Sequence, residues 1–210
     1  MKKSLLILFG TLLLGVPPVS GAAAQSYQMD AAGSSLKFTA EQMGAAFDGT
    51  FHQFAASVSF APGNLAASSL DVTVDPASAD TQEEQRDATL RGSDFFDVEH
   101  FKSAHFSTTT FRTTKTGTFE AIGKLTLRDT TRDVTIAFSF DSRKEGAENV
   151  SYLTGSANLK RLDFGIGRGE YVDTSAVGND VAIRFSLRLL PTAQPPQKKI
   201  PTPPAPLQTK

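Results

Sequence analysis

"DVAIRFSLRLL", residues 180 to 190, decides the fold. Val181, Ile183, Phe185, Leu187 and Leu189 fall on one side, while Arg184, Ser186 and Arg188 fall on the other. A repeat of two is the period of a strand, and a single apolar side means a sheet with one face buried. The same alternation recurs upstream. It runs through "RDVTIAFSF" with Val134, Ile136, Phe138 and Phe140, "SLDVTVD" with Leu70, Val72 and Val74, and "FAASVSF" with Phe54, Val58 and Phe60. "SLKFTAE" with Leu36 and Phe38, "HFSTTTF" with Phe106, "FEAIGKLTL" with Leu125 and "NVSYLTGSANL" complete about eight candidate strands. Ala61-Pro62-Gly63-Asn64, Asp75-Pro76 and Glu145-Gly146 carry turn chemistry between them. Eight antiparallel strands in a chain of this length form a small barrel or a sandwich.

Both ends differ from this middle. Lys2 and Lys3 precede an apolar run from Leu5 to Val16, then Pro17-Pro18 and a small-residue stretch ending Ala22-Ala23-Ala24. This is the plan of a secretory signal peptide, with cleavage expected after Ala24 and a periplasmic or secreted destination. The chain has no cysteine, which suits an oxidising compartment. From Pro191 onward, 7 of the 11 prolines crowd into twenty residues almost free of large apolar side chains, so a disordered tail is expected over 191–210. Residues 25–190 are left as one domain with 16 basic and 22 acidic residues, formally −6. A net acidic domain without a basic run argues against nucleic acid as partner.

One stretch breaks the alternation. "ADTQEEQRDATLRGSDFFDV" carries helix formers from Gln82 to Leu90, with Arg91-Gly92 as a stop, so a short helix is expected to deliver the chain to a turn at Phe95-Phe96. Fifteen of the 16 phenylalanines lie between residues 25 and 190, in a chain with no tryptophan. Phenylalanine adds apolar area without a polar atom to satisfy, so the interior is greasy, whether solid or hollow.

No catalytic constellation stands out. His100 and His105 are five apart, which fits neither a helical nor a strand pair facing one ion, and no metal site is expected. With three histidines and no G-x-S-x-G elbow there is no nucleophile with its base, so neither an enzyme nor a cofactor is expected. "DFG" at 163–165 lacks the other kinase motifs, and the glycines of "GIGRG" at 165–169 read as turn residues with positive φ. Repeated Arg/Asp neighbours, such as Arg86-Asp87, Arg128-Asp129 and Arg132-Asp133, read as rim ion pairs closing the sheet ends. Arginine is also the side chain best suited to an anionic head group.

"RDATLRGSDFFDVEHFKSAHFSTTTF", residues 86–111, resembles the signature stretch of the YceI-like polyisoprenoid-binding family. "YQMDAAGSSLKF", "FDGTFHQFAASVSF", "IGKLTLRDTTRDVTI", "LKRLDFGIG" and "NDVAIRFSLRL" follow the same family in order, so the resemblance spans about residues 27–190. It implies a lipocalin-like, eight-stranded antiparallel β-barrel with a short helix. It further implies an exported carrier of a polyisoprenoid, isoprenoid quinone or similar long-chain lipid. The alternative is a quinone-linked redox or stress-response accessory protein with no transport role. Where many members carry a Lys-His-Leu-Gly-like segment after the first strand, this chain has Gln42-Met43-Gly44. On this reading Phe38, Phe54, Val58, Phe60, Leu70, Val72, Phe95, Phe96, Phe106, Leu125, Ile136, Phe138, Phe164, Ile183, Phe185 and Leu187 face the ligand, with Phe95-Phe96 as a lid. Transient contact with a membrane fits such a ligand, and a dimer is compatible with it.

Overall fold

The computed structural model describes residues 23–115 and 117–192. Residues 1–22 of the expected signal segment, which runs to Ala24, and the tail beyond Thr192 lie outside the described residues. Ten strands form one antiparallel sheet: β1 (Gln25–Gln42), β2 (Ala45–Phe51), β3 (Phe54–Phe60), β4 (Ser69–Val74), β5 (Ala79–Asp80), β6 (Ala104–Lys115), β7 (Thr118–Leu127), β8 (Thr130–Glu145), β9 (Glu148–Lys160) and β10 (Asp180–Pro191). Eight of them close the barrel in the order β1-β3-β4-β6-β7-β8-β9-β10, with β10 pairing back onto β1. Closure pairs every wall strand on both sides and removes the sheet edges. The eight strands expected from alternation are these eight.

β2 and β5 are additions to that count. β1 is long enough to serve three partners: it pairs β10 along its length, β3 through Gln25–Gln28, and β2 through Lys37–Gln42. A register shift between Asp30 and Ser35 bends it between these duties. Arg188 on the neighbouring strand holds the bend, donating from Nη1 to Asp30 Oδ2 at 2.6 Å, while Ser34 Oγ accepts from Arg188 N at 2.9 Å.

Both long connections lie at one end of the barrel. Residues 75–103, between β4 and β6, carry the helix α1 (Glu84–Arg91). Glu83 caps it, its carboxylate accepting from the backbone N–H of Gln85 at 3.0 Å and of Arg86 at 2.8 Å; Gln82, expected inside the helix, sits before it at φ +61°. A cap needs an extended residue with a free acceptor, and Glu83 supplies both. Gly92 ends the helix as expected, although in an extended rather than a left-handed conformation (φ −67°). Residues 161–179, between β9 and β10, form the second connection. The glycines of "GIGRG" take the positive φ that the sequence suggested, at +65°, +86° and +60°.

The opposite end is solid. Phe60, 2 % exposed, has Phe111, Phe119, Phe138 and Phe140 around it at ring-centre distances of 5.8, 5.1, 5.5 and 4.8 Å. Val58, Leu153 and Leu189 fill in beside them. A second apolar cluster under the long connections contains Phe38, Ala79, Leu90, Phe95, Phe164 and Ile166.

Candidate functional site

Between these clusters lies a cavity of about 220 Å³. Strands contribute their inward files: Phe54 from β3; Leu70, Val72 and Val74 from β4; Phe106 from β6; Leu125 and Leu127 from β7; Val134 and Ile136 from β8; Val181, Ile183, Phe185 and Leu187 from β10. An eight-stranded barrel has an interior just wide enough for its own side chains to fill, so a hollow needs a structural cause.

Glycines in the wall supply that cause. A β-carbon at Gly49 would overlap the ring of Phe38, its partner across β1 and β2. At Gly155 it would sit 2.7 Å from Phe185 Cζ, and at Gly123 2.7 Å from Phe106 Cζ. Each of these three rings therefore lies over bare backbone on a neighbouring strand instead of standing out into the lumen. Close approach of this kind is what glycine in a strand permits.

The Phe95-Phe96 turn closes the cavity at the helix end. Phe95 is buried edge-on against Tyr171 at 4.9 Å, and Phe96 leans on Phe51 at 6.0 Å. Backbone bonds from Phe96 N to Leu90 O (2.9 Å) and Asp97 N to Gly92 O (2.9 Å) fold the turn onto the helix end. Arg128 fastens it from the β7–β8 turn. Its side chain is 3 % exposed, and Nη1 donates to Ser93 O at 2.8 Å and Phe95 O at 2.6 Å, while Nη2 reaches Asp97 Oδ2 at 3.3 Å. His100 Nδ1 lies 2.8 Å from the other oxygen of Asp97. That hydrogen bond first, and the charges of His100, Arg128 and Arg168 after it, hold the Asp97 carboxyl below its usual range; the same bond raises the His100 imidazole above its own.

Arg161 secures the other connection. Its guanidinium is buried and donates to four backbone carbonyls: Ile166 (2.9 Å), Tyr171 (2.6 Å), Val177 (2.6 Å) and Gly178 (2.8 Å). Burial lowers its pKa. A β-carbon at Gly167 would fall on Arg161 Nη1, which is why the chain needs a glycine there. Arg161 thus spends its donors on loop backbone and offers the cavity its aliphatic stem, while Arg128 divides its Nη donors between loop carbonyls and the Asp97 carboxylate and keeps a buried Nε without a partner. The ion pairs at the barrel ends join residues distant in sequence, such as Lys124 with Asp133 (2.8 Å) and Arg168 with Asp129 (3.9 Å), rather than the Arg/Asp neighbours the sequence suggested.

Of the sixteen side chains expected at the ligand, thirteen line the cavity: Phe38, Phe54, Leu70, Val72, Phe95, Phe96, Phe106, Leu125, Ile136, Phe164, Ile183, Phe185 and Leu187. Val58, Phe60 and Phe138 stand apart from it in the solid end. They share inward files with lining residues, since Val134 and Ile136 face the hollow while Phe138 does not. Alternation reports which face a residue occupies but not how far along the barrel axis it lies. Phe47, Phe51, Leu90, Leu159 and Ile166 also line the cavity and were not anticipated. Phe47 and Phe51 alternate visibly in "FDGTF", a signal that was available; Leu90 and Ile166 sit on irregular connections where no period applies. Met43, in the Gln42-Met43-Gly44 segment that departs from the family pattern, is 79 % exposed at the β1–β2 hairpin tip, with φ +50°. His105 pairs with Asp71 and His52 with Asp80, both at 2.9 Å, so the histidines serve separate carboxylates.

A second hollow, of about 260 Å³, adjoins the first and shares Phe47, Leu90, Phe95 and Val177 with it. Its remaining wall is mostly polar, from Gln42, Glu83, Gln85, Arg86 and Thr89. Arg86 lies over the Phe47 ring at 4.3 Å and bonds Gln42 Oε1 at 3.1 Å. Phe95 and Leu90 therefore form a partition between an apolar chamber and a polar vestibule.

The fold and site define a closed antiparallel barrel enclosing an apolar chamber capped by an aromatic turn. The YceI-like domain matches residues 27–189, and the chain belongs to that family. A UPF0312 protein of Vibrio vulnificus is 31 % identical over 180 residues, covering 82 % of this chain and 95 % of the relative. The crystal structure of BcnA from Burkholderia cenocepacia superposes with a TM-score of 0.70 at 30 % identity, over 76 % of this chain and 98 % of that one. A domain from Saccharophagus degradans, described as polyisoprenoid-binding and implicated in plant cell wall breakdown, has the same fold. Its TM-score is 0.57 at 13 % identity, over 80 % of this chain and 99 % of its own.

Proposed function

We propose that this chain is an exported, non-enzymatic binding protein that holds the apolar chain of an isoprenoid, isoprenoid quinone or similar lipid inside the barrel. The observation that carries this reading is a chamber walled by apolar side chains, whose one lining arginine, Arg161, is committed to backbone carbonyls. Such a chamber offers nothing to a charged head group and everything to a hydrocarbon. The described ligand of the Saccharophagus degradans domain, a polyisoprenoid, supports the same class. Each methylene of a chain buried in the chamber contributes about 0.8 kcal/mol before ordering costs. A longer lipid continues through the Phe95–Leu90 partition into the vestibule, where Gln42, Glu83 and Arg86 meet its polar end. Export follows from the signal-peptide plan of residues 1–24, and contact with a membrane at the mouth is the expected route of loading.

The test is gentle purification from the exported fraction, followed by solvent extraction and mass spectrometry. An isoprenoid or comparable lipid at near-stoichiometric amount is the expected result. If none copurifies and none binds the stripped protein on addition, the reading is wrong.

A further inference from the structure

We propose that the aromatic plug centred on Phe60 and Phe138 is a length stop, setting how many carbons of a ligand chain the barrel accepts. This rests on the lipid-binding reading above and adds a specificity determinant to it. Leu70 and Leu187 form the chamber floor, since they line the hollow and also belong to the packed cluster that contains the plug. Beneath them the inward files continue without a break in the wall: β3 runs from Phe54 at the chamber to Phe60 in the plug, and β8 from Ile136 to Phe138. The wall strands stay paired past that level, although β6 carries a bulge between Thr108 and Thr110.

Side chains end the lumen. In the chamber, the rings of Phe38, Phe106 and Phe185 are laid over Gly49, Gly123 and Gly155, which leaves the axis free. Below the floor the rings rest on one another. Phe60 has four ring neighbours, and Phe138 stacks on Phe119 at 5.5 Å with planes 29° apart. Rings packed this way leave no room for a chain, as expected of interiors at crystal-like density. A hydrocarbon sliding down the lumen therefore stops at Leu70 and Leu187, and any carbon beyond the stop must stay at the mouth.

The experiment uses the delipidated full chain and a series of straight-chain primary alcohols of increasing length, with binding followed by calorimetry. Each carbon that enters the chamber tightens binding about fourfold, and the gain ceases once the chamber is full. Phe60→Leu and Phe138→Leu each shorten the plug and move the plateau to longer alcohols; Leu187→Phe raises the floor and moves it to shorter ones. Circular dichroism and thermal melting identify which variants are folded. A plateau that stays in place in the folded variants overturns the length stop while leaving lipid binding intact. Failure of any alcohol to bind the wild-type chain overturns lipid binding itself, and the stop with it.

Discussion

Whether one end of the barrel is solid and the other hollow can be tested by removing one ring from each. Phe60 is 2 % exposed with four aromatic neighbours, so Phe60→Ala leaves a hole that stiff rings cannot collapse into. Truncations of this kind cost about 3–5 kcal/mol, and the edge contacts place this one near the upper end, at about 4–5 kcal/mol. Phe96 is half-buried, with Phe51 as its ring partner at 6.0 Å, and faces the chamber on its inner side. Phe96→Ala enlarges a space that already exists, so only the transfer term of a half-covered ring is lost, about 1–2 kcal/mol. With a urea slope of about 2 kcal/mol per molar, the midpoint falls by about 2 M for Phe60→Ala and by less than about 1 M for Phe96→Ala. Equilibrium urea unfolding of the delipidated protein measures both. Equal midpoint losses would refute the argument, because they would mean that rings at the chamber wall are packed as completely as those of the plug.

Three further outcomes are expected. Arg128→Ala strips the donors from the carbonyls of Ser93 and Phe95 and from Asp97, and should cost about 2–4 kcal/mol, with hydrogen exchange accelerating across residues 93–98. Unchanged protection there would show that Arg128 does not fasten the aromatic turn. Gly49→Ala pushes the Phe38 ring off the wall and into the lumen, so lipid capacity should fall more than strand content; loss of both together by circular dichroism and lipid assay would count against the wall-glycine mechanism. The Asp97–His100 pair titrates in a defined sense. The His100 share of stability is complete below the ordinary imidazole pKa and is lost as pH rises through its raised folded value, while the Asp97 share is lost as pH falls through its lowered one. NMR titration should find the His100 imidazole above its usual range and returned toward it in Asp97→Asn; a His100 titration that the substitution leaves in place removes the pair from the account.

Much of this molecule is legible in the sequence, for a reason that lies in strand geometry. Because side chains alternate strictly across a strand, "DVAIRFSLRLL" and its counterparts fix which residues point inward, and thirteen of the sixteen expected ligand-facing side chains line the chamber. The break in alternation at residues 79–98 located the helix and the aromatic turn for the same reason. Alternation carries no coordinate along the barrel axis, however. Phe138 and Ile136 are equivalent in the pattern, yet one is buried in the plug and the other faces the hollow. The contributions of Leu90 and Ile166 depend on where two irregular connections fold back, and the burial of Arg128 and Arg161 depends on loop carbonyls remote in sequence. Alternation therefore established a one-faced β-sheet with a phenylalanine-rich inside, and it was the family resemblance that pointed to closure as a barrel. Only the tertiary structure decided where that inside is empty, because the hollow exists wherever a ring meets a glycine on the next strand, and that pairing is set by register between strands rather than by the order of residues within one.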